Sequence, residues 1–145
     1  MEWHNKNFAE LTVKQLFEIY KLRATVFNTE QHSDYCDPDD QDLTARHIFA
    51  TDSGHVVAYA RYFTLGDQVS FGRVVIDNAH RGQGLGTPLL QHILDGIQKH
   101  FPGNEIVIHA QYQVTGYYAK FDFKEVGEPF IEADRKHIKM IHTAL

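Results

Sequence analysis

The sequence predicts a mixed α/β layered domain, and three observations carry that reading. Between His47 and Asp77, three runs rich in β-branched and aromatic residues are separated by the turn signals Ser53-Gly54 and Gly66-Asp67, the pattern of an antiparallel meander. A strongly amphipathic run follows from Leu85 to Phe101. Beyond it, strand-like and helix-like runs alternate to the end, giving the order strand, helix, three or more strands, helix, strand, helix, strands.

Each element has a local cause. Thr12 and Gln15 have capping-box spacing, so a helix is expected from Thr12. Val13, Leu16, Phe17, Tyr20, Ala24 and Phe27 follow helical spacing and are expected to form its apolar face. Asn28 to Gln41 is polar and acidic, and reads as a loop or a broken helix. His47–Thr51, Val56–Thr64 and Val69–Asp77 are the meander strands. Simple alternation along the last puts Phe71, Arg73 and Val75 on one face, and Gly72, Val74 and Ile76 on the other. In the next helix Leu85, Leu89, Leu90, Ile93, Leu94, Ile97 and Phe101 form the stripe. Pro88 must lie in its first turn, where no intrahelical N–H is needed. Pro102-Gly103 ends it. Ile106–Ala110 is a compact strand, Tyr112–Lys120 a short helix, and Phe123–Val126 and Lys136–Ile141 are final strands.

Composition narrows the function. The chain has 145 residues, expected to form one domain over 1–145, with formal net charge −5. A mildly acidic chain is a poor general nucleic-acid binder, because phosphate contacts need a basic face. One cysteine, Cys36, permits no intrachain disulfide. No apolar leader or membrane-length run is present, so a cytoplasmic protein is expected, without a membrane partner. Ten dispersed histidines do not indicate a metal site. In the acidic stretch Asp34, Asp37, Asp39, Asp40, Asp42, a calcium loop fails for want of the sixth-position glycine and the final glutamate. It reads instead as a solvated acidic rim that would steer cationic amines.

Arg81-Gly82-Gln83-Gly84-Leu85-Gly86 is the most informative stretch. A glycine-rich turn between a strand and a helix offers unpaired backbone N–H groups at a positive dipole end, a ready anion site. Arg81 adds a cation at its mouth. The dinucleotide fingerprint fails because its last glycine would fall at Thr87. The P-loop fails because no Gly-Lys-Ser/Thr triplet is present.

The stretch resembles the Arg/Gln-x-x-Gly-x-Gly/Ala motif of the GNAT acyl-CoA N-acyltransferases. Tyr117-Tyr118-Ala119-Lys120-Phe121-Asp122-Phe123 is similar to that family's Tyr-x-x-x-Gly-Phe landmark, with Asp122 for the usual glycine. Asp tolerates left-handed backbone better than most residues. Further pieces, among them Leu22-Arg23, Arg46-His47, Tyr59-Ala60-Arg61, Gly72-Arg73-Val74, Ala110-Gln111 and His137-Ile138, resemble the ElaA-like branch.

The resemblance implies the family's fold: a central mixed, mostly antiparallel sheet with helices on both faces and a splayed parallel strand pair. It implies acetyl-CoA as acetyl donor, without a metal, and direct ternary-complex transfer to a primary amine, either small or on a peptide. The pyrophosphate would rest on Gly82, Gln83, Gly84, Leu85, Gly86 and Thr87, with Arg81 beside it. Backbone groups of Val74, Val75 and Ile76 would pair with the pantetheine. Gln111, seven residues before Tyr118, supplies an amide where the family usually has Asn. Tyr118 would be the general acid that protonates the departing thiolate, and Tyr117, beside it, is read as core.

The base is left open. Some family members carry a Glu at the position of Ile106, which here is apolar. Glu30, His47 and His109 are candidates, against bland readings as a solvated charge, a strand-edge histidine and a core histidine; a water chain is the alternative acceptor, and an amine already partly deprotonated needs no dedicated base. Arg61 and Arg73 read equally as partners of Asp42 or another carboxylate, or as a site for an acceptor carboxylate. The alternative function is a non-catalytic acyl-CoA-binding module, which would not need Tyr118; a nucleotide-dependent oxidoreductase is more distant. The terminal strands could pair across a homodimer.

Overall fold

Seven strands form one sheet in the computed structural model, which describes all 145 residues. They are β1 Glu2–Asn7, β2 Arg46–Asp52, β3 His55–Leu65, β4 Gln68–Ile76, β5 Ile106–Gln111, β6 Lys124–Glu132 and β7 Arg135–His142. The spatial order is β1-β2-β3-β4-β5-β7-β6. All neighbours are antiparallel except β4 and β5. That parallel pair is held at one register point, Val69 opposite Ile106, where Val69 N–H donates to Glu105 O at 2.9 Å. Beyond it the strands part, and the cleft lies between them.

Helices cover both faces. Helix α1, Val13–Arg23, carries the expected capping box: Thr12 Oγ1 accepts from Gln15 N–H at 3.1 Å, and Gln15 Oε1 from Thr12 N–H at 3.0 Å. It continues as a π-helical turn, Ala24–Glu30. A four-residue helix, α2, follows at Gln41–Thr44. Helix α3, Gly86–His100, lies on the opposite face and buries Leu89, Leu90, Ile93, Leu94 and Ile97 against Ile48, Ala58, Ala60 and Val69. Burying each such side chain contributes on the order of 1.5–3 kcal/mol. Helix α4, Thr115–Ala119, follows a 3-10 turn over Tyr112–Val114, so the Tyr112–Lys120 helix is divided. Strand β6 is longer than Phe123–Val126 suggests, because it is a sheet edge whose largely exposed residues hide any burial pattern.

Two expectations are corrected. The buried stripe of the first arm is Ile19, Leu22, Val26 and Phe27 with Glu18 and Arg23; Val13 is 89% exposed and Phe17 61%. The true stripe contains two charged residues, so a hydrophobic count selects its neighbour. In β4 the alternation breaks. Phe71 joins the α3-side core while Val75 joins the α1-side cluster, although simple alternation puts both on one face. The cause is an irregularity in the ladder: Tyr59 and Arg61 on β3 face Val75 and Gly72, one residue further apart on β4. Arg73, inside it, has φ +53°, in the left-handed region that non-glycine residues rarely occupy.

Candidate active site

The glycine loop is built from backbone requirements. Gly82 and Gly84 have φ of +76° and +78°, so each turns the chain where a side chain would be strained. Gly86 is needed for another reason: a Cβ there would lie 3.2 Å from the Tyr117 ring. No side chain caps α3, and no backbone N–H from Gly82 to Thr87 donates within the chain. Free amides at a helix N-terminus fit a pyrophosphate without modification. Arg81 is less free than its sequence suggests. Its Nε donates to Ile76 O at 3.0 Å, and its two terminal nitrogens each donate to Glu30 at 3.2 Å. Glu30, one of the candidate bases, is thus the partner of the loop's cation.

Between β4 and β5 the cleft encloses about 1220 Å³. Val74, Val75, Ile76, Arg81, Gly86, Gln111 and Tyr118 all line it. Gln111 Nε2 donates to Gln31 Oε1 at 3.3 Å, which ties β5 to the end of the first helical arm. Tyr118 is 7% exposed and packs against Phe71 and Phe123 at ring separations of 5.9 Å. Its hydroxyl finds no partner within the chain and opens on the cleft. Burial, with Tyr117 adding to it, pushes this phenol well above the usual range, so it holds its proton throughout the neutral region. Asp122, where the motif has glycine, adopts φ +69° and keeps the turn after α4.

Tyr117 serves the site as well as the core, a role missed in the sequence. It lines the cleft, and its hydroxyl donates to Gly86 O at 2.6 Å.

The acidic stretch is a solvated rim only in part: Asp34, Asp39 and Asp40 are exposed. Asp37 and Asp42 are buried, and three arginines meet Asp37, Asp39 and Asp42. Arg23, itself fully buried, donates from Nε to Asp37 Oδ2 at 2.7 Å and from Nη1 to Asp42 Oδ1 at 2.8 Å. Arg61 donates to Asp42 Oδ1 at 2.9 Å and to Asp39 Oδ2 at 3.0 Å. Arg73 Nε lies 2.9 Å from Asp37 Oδ1. Burial works to raise the Asp42 carboxyl, but the hydrogen bonds and charges of Arg23 and Arg61 outweigh it and hold it low. Arg61 and Arg73 line the cleft with their charge already matched, as the pairing reading expects. The buried hub, Arg23, stands outside the expected apolar face, and its only sequence sign is the Leu22-Arg23 piece of the family resemblance.

His47 and His109 separate. His47 is buried away from the cleft. Its Nε2–H donates to Asp42 O at 2.9 Å and its Nδ1 accepts from Tyr59 O–H at 2.6 Å, the only assignment a carbonyl partner permits. Desolvation lowers its pKa and keeps it neutral. His109 is not core: its side chain is 53% exposed, and Nδ1 lies 3.2 Å from Glu132 Oε2 at the cleft rim. A further imidazole, His137, also lines the cleft. It is 8% exposed, stacks on Phe130 with centroids 6.0 Å apart, and bonds Arg135 O through Nδ1 at 2.8 Å. In the sequence it is marked by alternation along β7, with Ile138 and Met140 inward on the other face, and by its place in the His137-Ile138 piece of the family resemblance.

A splayed parallel pair, an amide-lined loop at a helix start and a cleft-facing phenol define an acyl-CoA-dependent N-acyltransferase. The family model described as "Acetyltransferase (GNAT) domain" matches residues 15–144. The chain belongs to the GNAT acetyltransferases, in their ElaA-like branch, and is an acetyl-CoA-dependent N-acetyltransferase. It is 35% identical over 150 residues to Protein ElaA of Escherichia coli, covering 100% of this chain and 98% of that protein. The crystal structure of E. coli ElaA superposes with a TM-score of 0.92 at 36% identity, covering 97% of this chain and 99% of that one. An acyl-CoA N-acyltransferase from Pseudomonas aeruginosa gives 0.93 at 34% identity, covering 98% and 99%. At 14% identity, an aminoglycoside 6'-N-acetyltransferase solved with coenzyme A shares the fold, with a TM-score of 0.71 over 99% of this chain and 97% of that one.

Proposed function

We propose that the chain acetylates a primary amine directly, both substrates meeting in the β4–β5 cleft. The observation that carries this is the hydroxyl of the buried residue Tyr118, unpartnered within the chain and opening on a cleft that Arg81 and Gly86 also line, beside the free amides of Gly82–Thr87. Those amides would hold the pyrophosphate. Val74 to Ile76, unpaired on the side of β4 that β5 has left, would offer backbone groups to the pantetheine, and Gln111 would contact it from β5. Tyr118 would give its proton to the sulfur as the C–S bond breaks and the amine's C–N bond forms. A pure acyl-CoA binder has no use for such a phenol.

No helix is long and apolar enough to cross a membrane, and a cytoplasmic site of action suits acetyl-CoA as donor. The acceptor is a small or peptide amine reaching the cleft from the α1 side. The test is incubation with acetyl-CoA and a panel of polyamines, amino acids, peptides and aminoglycosides, with thiol release followed and the product weighed by mass spectrometry. A product heavier by one acetyl group supports the reading; acetyl-CoA binding without thiol release from any amine supports the binding module.

A further inference from the structure

The reaction has a second proton to account for. A primary amine is an ammonium at neutral pH and cannot attack until it loses one. Neither Glu30 nor His47 can take it: one is held by Arg81 and the other lies outside the cleft.

The geometry points to His137 as the general base that deprotonates the acceptor amine. This rests on the acetyltransferase reading above. Arg135 O can only accept, so His137 must donate to it from Nδ1, and that bond fixes the Nδ1–H tautomer. Nε2 is left with a bare lone pair and no partner in the chain. Stacking on Phe130 and near-complete burial hold the ring. His109 lacks this fixation, because its tethering carboxylate on Glu132 is itself 49% exposed.

Position supports the assignment. His137 stands opposite Gln111 in the β5–β7 ladder, so the two share a face, and Gln111 reaches Gln31 on the α1 side. Tyr118 belongs to the core on the α3 side. The base and the acid therefore enter one cleft from opposite faces of the sheet. Nε2 takes a proton from the ammonium. The free nitrogen then forms the C–N bond to the acetyl carbonyl carbon, and the C–S bond breaks. Tyr118 protonates the sulfur, the nitrogen's second proton restores Tyr118, and His137 releases the first to solvent.

The charged groups facing this imidazole are Arg135 and Lys139 on its own strand, and Glu132 on β6 paired with His109 on β5. Across the cleft stand Asp34 and the matched arginines.

His137→Asn tests the role, because the Asn amide can keep the bond to Arg135 O while removing Nε2. On an amine that the wild type acetylates, kcat/KM at neutral pH should fall roughly 100-fold or more. Acetyl-CoA affinity by calorimetry should not change. The deficit should close as pH rises toward about 10, where the amine loses its own proton. Nitrogen-resolved NMR of the wild-type imidazoles should show His137 as Nδ1–H. Wild-type turnover in His137→Asn, a pH-independent deficit, or an Nε2–H tautomer overturns the proposal while leaving the acetyltransferase reading intact. A wild type inert toward every amine overturns that reading first, and the base with it.

Discussion

The Tyr117 hydroxyl donates to the Gly86 carbonyl across 2.6 Å, joining the helix that carries Tyr118 to the first residue of α3. The proposed acid and the glycine loop are thereby tied to each other. The hydroxyl is buried enough that its pKa is pushed up to about 12, so the donor keeps its proton. Tyr117→Phe should cost about 1 kcal/mol of stability. It should also lower kcat several-fold with a smaller change in acetyl-CoA affinity, because Tyr118 shifts while the amides remain. Steady-state kinetics with parallel calorimetry checks this.

Charge and strain in the cradle can be separated. Gly84 sits at φ +78°, which Asp tolerates better than most residues. Gly84→Asp should therefore stay folded but lose acetyl-CoA binding, since a carboxylate would face the pyrophosphate. Gly84→Ala removes the charge and keeps the strain, and should bind more weakly than wild type but measurably. Calorimetric titration of both, after circular dichroism has shown them folded, decides.

Glu30 restrains the cation of the loop. The Arg81–Glu30 pair is partly exposed, and such pairs contribute about 0–1 kcal/mol. Glu30→Gln frees Arg81 for phosphate, so the Kd for acetyl-CoA should fall, by up to about fivefold, and more at low salt than at high salt. An unchanged Kd means that Arg81 does not reach the phosphates.

The buried arginine–aspartate network sets acid stability. Asp42 and Asp39 both have carboxyls held low, Asp42 by Arg23 and Arg61 against its burial, and Asp39 first by its hydrogen bond from Arg61. A carboxyl with a lower pKa in the folded than in the unfolded state contributes stability that is fully present above the unfolded value, about 3.9. That contribution is lost as pH falls through the folded value. Urea midpoints should hold from pH 7 to about 5 and then drop. Arg23→Met leaves buried carboxylates uncompensated and should cost on the order of 3–5 kcal/mol at pH 7, a fall of roughly 10 °C in Tm.

Local chemistry was legible before the structure and nonlocal chemistry was not. The Thr12–Gln15 box, the meander, the Pro88 limit on α3 and the glycine loop each depend on neighbours within a few residues, and each stands where its pattern puts it. The tolerance of Asp for Asp122's backbone was likewise a local inference. Arg23 could not be found that way, because its partners Asp37 and Asp42 lie 14 and 19 residues on. The face of Val75 depends on an irregularity that only pairing with β3 reveals. Similarly, His137 becomes distinctive only once the ladder sets it beside Gln111 and its ring nitrogen meets Arg135 O. Arg81 reads as a free cation until Glu30, far away in the chain, is seen against it.

In the proposed mechanism, Tyr118 protonates the thiolate in a direct transfer. Single-turnover thiol release by wild type and Tyr118→Phe, each saturated with acetyl-CoA and one amine that the wild type acetylates, tests it most directly. The variant should bind acetyl-CoA as tightly as wild type and release thiol about 10²-fold more slowly or worse. Equal rates of thiol release in the two proteins would contradict it.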